Sequence, residues 1–590
     1  MKRFALFFLL CVVATTYLPA QISPPQGAKL NYNQVLFECK KVNNASEYLF
    51  QVAENFNVPV FGNAVVEQRD SSTATIINGL QFGKKYQWRY AGLVRGQQLE
   101  WHGPYYFEIS GDKLLLNNLS GFSVTINDSS ANAGGLIMND YENGIYDRNG
   151  KLVWYLPENN PDTIAATGSI KTQKQLFDLR LTPVGTITYL TNNDAIECNL
   201  NGHTLWKGPD NGKVSGGPVE YYNHQFVRLA NGHYMVLGNQ MLLKPGHYEP
   251  AFVEKKDLRR IQFQGKEYTV IKFGTIIEYN KQGDVVWQWK STKYFGKDSV
   301  TDLAAILPSD FYLNAHINSF SVDPDNKFVY AGFRNVSRII KIEKSTGRVV
   351  QSWGQKLPAD KSVTAVNFYR QHDCHILDDH EMVVLNSNDY HKRDSFPTVM
   401  VFSTNPLDNG KVTWKYVCKF DTIDGIAQQN AGNVDRLTNG NFMVCTGSTN
   451  HMFEISTDKR IVWNATAKLN NTGPGHRLYR AHYISSLYPC YFTARSNIDT
   501  VAASFPHFNE LVFNSGTESD VYKIKISSLS GAFIKEITSP VILPKTSFMV
   551  EVKPDGVINA GDNIQVTVTS KTNPILERKN VVVVNLRFPQ

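Results

Sequence analysis

The sequence predicts an all-β protein: a six-bladed β-propeller with one β-sandwich before it and another after it. Three observations predict this. A short polar turn followed by an apolar strand bearing a tryptophan recurs six times, as DRNGKLVW, NLNGHTLW, NKQGDVVW, EKSTGRVVQSW, LDNGKVTW and STDKRIVW. A strand, tight turn and strand pattern recurs in step with it, in NHQFVRLANGHYMVLG, NSFSVDPDNKFVYAGFR, HDCHILDDHEMVVLNSN and AGNVDRLTNGNFMVCTG. Helical periodicity is nearly absent, apart from a short stretch around Ser299 to Leu307. The repeat tryptophans are Trp154, Trp206, Trp287, Trp353, Trp414 and Trp463, spaced 49 to 81 residues apart. Such intervals fit a four-stranded blade plus insertions. These residues read as core or blade-closing side chains.

The elements follow in order. Residues 1–20 read as a signal peptide: Lys2 and Arg3 precede an apolar run, and Ala20 ends it as a small cleavage residue. That run is short for a membrane span, and no later run is apolar enough to cross a bilayer. A soluble protein, periplasmic or secreted, is expected. Residues 22–112 form the first sandwich. There, LQFGKKYQWRY alternates as a strand does and resembles the late-strand signature of fibronectin type III modules. Residues 115–490 form the propeller, and a seventh blade requires a different phase near Leu136 or Leu181. The longest interval holds a polar segment, Lys244 to Lys266, expected to be a long loop. Residues 492–590 form the last sandwich, with strands in VYKIKIS, FMVEVKP, IQVTVTS and VVVVNLRF.

Composition excludes some functions. The formal charge of +7 falls to +5 once Lys2 and Arg3 are removed (7 − 2), and no basic cluster marks a nucleic-acid surface. Six cysteines remain after residue 20, enough for fifteen disulfide pairings. No CxxC pair suggests a zinc or thioredoxin-type motif.

The repeat phase also selects a site. A blade's innermost strand lines the central channel, so equivalent positions in different blades meet around one axis. Ten residues before the opening of each second strand stand His224, Asn318, His372 and Gly432. His316 precedes Asn318 by two, which strand alternation places on the same side. Hairpin geometry returns Arg334 to the same rim, with Gln240, Asn388 and Ser448 at comparable places. Arg offers planar donors to an oxyanion, and neutral imidazole is a competent nucleophile. A sulfuryl or phosphoryl substrate suits this set. No Gly-rich phosphate loop is present. Two rival readings compete: structural histidines, and a three-His metal site aided by the ligand-rich HDCHILDDH. Against the metal, His375 should face away from His372, and Asp378 and Asp379 read as turn residues.

At these residues the sequence resembles the bacterial arylsulfate sulfotransferases. The resemblance covers roughly residues 115 to 490 and rests on NHQFVRLANGHYMVLG, AHINSFSVDPDNKFVYAGFRNVSRIIKI, RQHDC, NVDRLTNGNFMVCTG and YRAHYI. It implies a six-bladed periplasmic propeller that moves a sulfuryl group from a phenolic sulfate ester to a phenolic acceptor, without a cofactor. It further implies that His372 is a nucleophile forming a sulfohistidine. His224 and His316 would handle protons or stabilise charge, and Asn318 and Arg334 would bind sulfuryl oxygens. Gln240 and Asn388 would line the substrate site. The sequence departs from the family in placing Gly432, beside Asn433, where a hydroxyl residue is common; Thr446 and Ser448 are possible substitutes. A disulfide at Cys374 would hold the loop beside His372. Two alternatives are a hydrolytic sulfatase-like propeller and a non-catalytic propeller that binds glycans or proteins.

Overall fold

The computed structural model describes residues 22–54, 60–111, 121–141, 143–157, 176–191, 194–217, 219–245, 260–263, 265–295, 315–355, 362–378, 380–387, 396–419, 431–467, 478–531, 533–554 and 558–586. The chain is nearly all β. Between Phe122 and Ile484 the strands form six mainly antiparallel sheets of four or five strands. Their innermost strands are β1 (Phe177–Leu181), β2 (Tyr222–Arg228), β3 (Ile317–Val322), β4 (Asp373–Ile376), β5 (Asn433–Arg436) and β6 (Ala481–Ile484). Each touches the next, and β6 touches β1, so the six close into a ring around an axis.

Closure joins the two ends of this region. β6 pairs with Leu136–Asn139, so the last strand completes the first sheet. At the periphery, Phe122–Asn127 adds to Ile461–Ala467 of the sheet built on β5. Two independent ladders therefore close the ring. Leu136 lies in a second strand and Leu181 in an innermost one, which settles the phase of both.

The repeat tryptophans stitch neighbouring sheets together. Each sits on an outer strand, and several donate the indole N–H to a turn carbonyl of the following sheet. Trp154 Nε1 donates to Leu200 O at 2.7 Å, Trp287 to Lys344 O at 2.9 Å and Trp414 to Thr457 O at 3.0 Å. Trp463 Nε1 donates to Arg148 O at 2.8 Å, across the closure. A buried indole needs such an acceptor, because an unpaired N–H would cost about 1–3 kcal/mol. Trp154, Trp206, Trp353 and Trp463 are buried, whereas Trp287 and Trp414 are only partly covered.

One expectation changes. Part of the presumed Lys244 to Lys266 loop is strand: Tyr234–Pro245 pairs with Lys266–Tyr279 along its whole length, and Arg260–Phe263 adds to that ladder. The polar composition reflects a ladder that extends beyond the sheet's core. The helix expected near Ser299 to Leu307 and the signal peptide lie outside the described residues. A four-residue helix, Thr292–Phe295, stands nearby.

Before the ring lie a five-stranded and a two-stranded sheet around buried Phe37, Trp88 and Phe107. After it lie a three-stranded and a five-stranded sheet around Phe492, Tyr522 and Val566. The two units meet each other: Arg578 Nη2 lies 3.1 Å from Glu38 Oε1, and Ser72 Oγ lies 2.8 Å from both Thr493 Oγ1 and Ser515 Oγ.

Candidate active site

The entries to the innermost strands carry unusual backbone. Asp178, His224, His316 and Arg370 all have φ between 52° and 59°. Side chains rarely adopt this left-handed region, so it marks positions held by their surroundings. On β1, β2 and β3 the ladder shifts register at or beside these residues. Such bulges re-aim side chains at a rim.

The result is a cluster of imidazoles in the channel. The His224 and His316 rings lie 4.8 Å apart, and His224 and His372 lie 6.2 Å apart, between centroids. Tyr479 completes the group. Its hydroxyl is 2.5 Å from His224 Nδ1, and its ring lies 5.3 Å from that of His372. Three residues predicted from three separate repeats therefore meet.

His372 is almost fully buried and oriented by one bond. Its Nδ1 lies 3.0 Å from the carbonyl oxygen of Gly432. A carbonyl only accepts, so Nδ1 carries the proton and Nε2 presents a lone pair when the ring is neutral. Gly432 has φ of 109°, a conformation that favours glycine. The residue that departs from the expected hydroxyl thus serves through its backbone. Thr446 is bonded elsewhere, to Thr449 Oγ1 at 3.0 Å.

Burial, aided by nearby positive charge, keeps the histidines neutral. Burial and the nearby Arg480 and Arg334 guanidinium groups push His372 down to about 3. Burial, His372, Arg480 and Arg334 hold His224 well below the usual imidazole range. Burial, His224, Arg334 and Lys272 do the same to His316. Arg334 is buried, and its backbone N–H donates to His316 O at 2.9 Å. The predicted cation therefore sits beside all three rings.

Other predicted residues fall differently. Asn318 is fully buried, and its amide donates to Gln371 O at 3.0 Å. The ladder shift between Ile317 and Ser319 breaks the alternation that was to align it with His316. One amide proton of Asn318 is thereby used to hold the residue before His372. Gln240 is half-buried on the extended ladder opposite Phe273, and its Oε1 has no hydrogen-bond partner among the described residues. Asn388 lies outside the described residues. Cys374 forms no disulfide: all six described cysteines are free and buried, and its Sγ lies 3.3 Å from Ser319 Oγ. His375 pairs with Asp373 Oδ2 at 2.9 Å and borders a cavity with Arg180 and Gln225. Asp378 is a turn residue, accepting from His380 N and Glu381 N at 2.7 Å.

Three site residues escaped the sequence reading: Tyr479, Arg480 and Lys272. The first two begin the YRAHYI motif, which was noted only as a family mark. Their roles depend on partners in other sheets, as with Asp178, 302 positions from Arg480.

The channel with its histidine-lined mouth defines a class of propeller proteins with a polar axial site. The family profile for Arylsulfotransferase (ASST) matches residues 136–473, and the chain belongs to this family. No curated protein is similar enough in sequence to count as a match. Among solved structures, the chain is similar to a protein of unknown function from Bacteroides caccae, at 12% identity and TM-score 0.34, covering 61% of this chain and 98% of that one. It is also similar to virginiamycin B lyase from Staphylococcus aureus, at 10% identity and TM-score 0.28, covering 70% and 96%. A third is the Dos1 propeller, at 9% identity and TM-score 0.30, covering 61% and 89%.

Proposed function

We propose that this arylsulfotransferase moves a sulfuryl group from a phenolic sulfate ester to a phenolic acceptor through a sulfohistidine at His372. The observation that carries the reading is the Nδ1 bond of His372 to the Gly432 carbonyl, which leaves Nε2 as the reactive atom. In the first half-reaction the Nε2 lone pair attacks sulfur, and the S–O(aryl) bond breaks. The phenolate leaves with the electron pair. The imidazole becomes cationic, and Gly432 O accepts its Nδ1–H more strongly. In the second half-reaction the acceptor's phenolate oxygen attacks sulfur and returns His372 to its neutral form. The acceptor's proton passes to the departed phenolate or to solvent.

Arg334 supplies positive charge for the sulfuryl oxygens, which carry the charge of a loose transition state. The depressed histidines explain the preference for aryl esters. Neutral His224 and His316 donate hydrogen bonds but are weak proton donors, so a leaving group stable as an anion is favoured. A phenolate meets that need and an alkoxide does not. One nucleophile serving both halves gives ping-pong kinetics. The basic-apolar N-terminus supports export, so that donor and acceptor would be met outside the cytoplasm.

The test is p-nitrophenol release from p-nitrophenyl sulfate by the purified protein, with and without phenol. Release should rise with phenol, phenyl sulfate should form, and His372→Ala should lose on the order of 10⁴-fold or more in kcat. Release that ignores phenol would mean that water is the acceptor. Retained turnover in His372→Ala would remove the nucleophile assignment. No release with any acceptor would favour a binding propeller.

A further inference from the structure

Beside Tyr479 of the imidazole cluster lies Arg480, its guanidinium carbon 5.6 Å from the centre of that ring, and no part of the proposed chemistry requires it. It is fully buried and immediately precedes the closing strand β6. Its Nη1 donates to Asp178 Oδ1 at 2.9 Å, on β1. Its Nη2 donates to Asn318 O at 2.9 Å, on β3, and lies 4.0 Å from Asp373 Oδ1, on β4. Asp178 Oδ2 in turn accepts from Phe226 N at 2.8 Å, on β2, and Asp373 Oδ2 from Val434 N at 3.0 Å, on β5. One guanidinium and its two carboxylates thereby link all six innermost strands. The Arg480 backbone is itself held, its N–H lying 3.0 Å from both oxygens of Asp140.

We propose that Arg480 is the positioning residue of the site: ring closure carries this cation across the channel, where it fixes the Asn318 and His372 strands and sets a positive charge against the nucleophile. The inference rests on the reading of His372 as nucleophile. A planar, five-donor guanidinium suits this place because it bonds acceptors on several strands at once; an ammonium does not. His372 faces His224, His316 and Tyr479 in the channel, Arg334 and Arg480 by charge, and Asp373 and Cys374 in its own segment. The two arginines and His316 oppose protonation, and the Gly432 carbonyl, which accepts the Nδ1 proton, favours it. Burial lowers the imidazole first, and Arg480 is the next contributor. Closing the ring and keeping the nucleophile neutral are then one event.

Two measurements test this. In the wild-type protein, histidine-selective carbon NMR should show His372 neutral down to below pH 5, assigned by its loss in His372→Ala. Titration near the ordinary value of about 6.5 would overturn the proposal. In Arg480→Met, which keeps bulk and removes charge, the acidic limb of kcat/KM against pH should rise by about one pH unit or more. Its maximal rate should fall roughly 10²-fold. Arg480→Lys should keep the limb near its wild-type position while losing rate. A folded Arg480→Met with the wild-type limb and rate would also overturn it. If the wild type moves no sulfuryl group, the function reading has failed, and the NMR titration still decides the role of Arg480.

Discussion

Asp373 in the channel and Glu510 in the C-terminal sheets are both fully buried carboxylates, yet their surroundings push them in opposite directions. Burial raises Asp373, but His375, Arg480 and the Val434 N–H outweigh it and hold the group well below the usual carboxylate range. Asp178 behaves likewise between Arg180 and Arg480. Glu510 has hydrogen bonds from Ser496, at 2.6 Å, and Asn580, with only a weak influence from Lys41. Burial wins there and pushes it up to about 7. Two hydrogen bonds do not offset burial at Glu510, whereas ionic partners do at Asp373 and Asp178. Asp373 and Asp178 are thus compensated by charge and Glu510 is not; Asp140, which accepts only backbone N–H bonds, is likewise pushed up to about 7 by burial.

The largest expected effect breaks the channel side of this contrast. Asp178→Ala removes the carboxylate that Arg180 and Arg480 both contact and, among the described residues, leaves Arg480 only Asp373, 4.0 Å away; a buried ion pair that loses one partner costs about 3–5 kcal/mol. Chemical denaturation should show that loss, with transfer activity falling in parallel. A change below about 1 kcal/mol would mean that the linkage of the six strands does not carry stability.

Glu510→Gln sharpens the other side. A carboxyl whose folded pKa is raised contributes most at low pH, and its contribution is lost as pH climbs from the ordinary carboxyl value to about 7. At pH 8 the wild type therefore bears the whole cost of a buried anion, and the neutral amide bears none. Glu510→Gln should be more stable than wild type by roughly 2–3 kcal/mol at pH 8, and the gap should shrink by pH 5. An equal gap at both pH values would show that packing, not ionisation, is responsible.

The smallest effect probes the closing strand. His482, on β6, places Nδ1 3.0 Å from Asp435 Oδ2 on β5. Burial and Arg180 oppose its protonation, but Asp435 and Asp178 prevail and raise it. Stability from this pair is present below the ordinary imidazole value of about 6.5 and is lost as pH rises through the raised one. Asp435→Asn should cost about 1.5 kcal/mol at pH 6 and less at pH 8.5, by thermal unfolding across pH. A cost that does not vary with pH would remove the charge from this contact.

Much of this architecture was legible in the residues. Trp154, Trp287, Trp414 and Trp463 recur at places where an outer strand hands an N–H to the next sheet. That local contact repeats with the sheet and therefore shows as a period. His224, His316 and His372 were found for the same reason: equivalent positions in equivalent repeats meet on one axis. The alignment of Asn318 with His316 was not legible, because alternation assumes an unbroken ladder and a bulge leaves no mark in residue type.

By itself the sequence determined the all-β class, the repeat phase and the histidines that share the channel, since each follows from spacing between near neighbours. Tertiary structure alone decided which imidazole nitrogen of His372 is bonded to Gly432, that Gly432 acts through its carbonyl, and that Arg480 is held between Asp178 and Asn318. These depend on backbone dihedrals and on contacts such as Arg480 to Asp178, 302 positions apart, which form only when β6 closes the ring. Burial and the sum of nearby charges set the protonation of a site, and both are properties of the assembled fold.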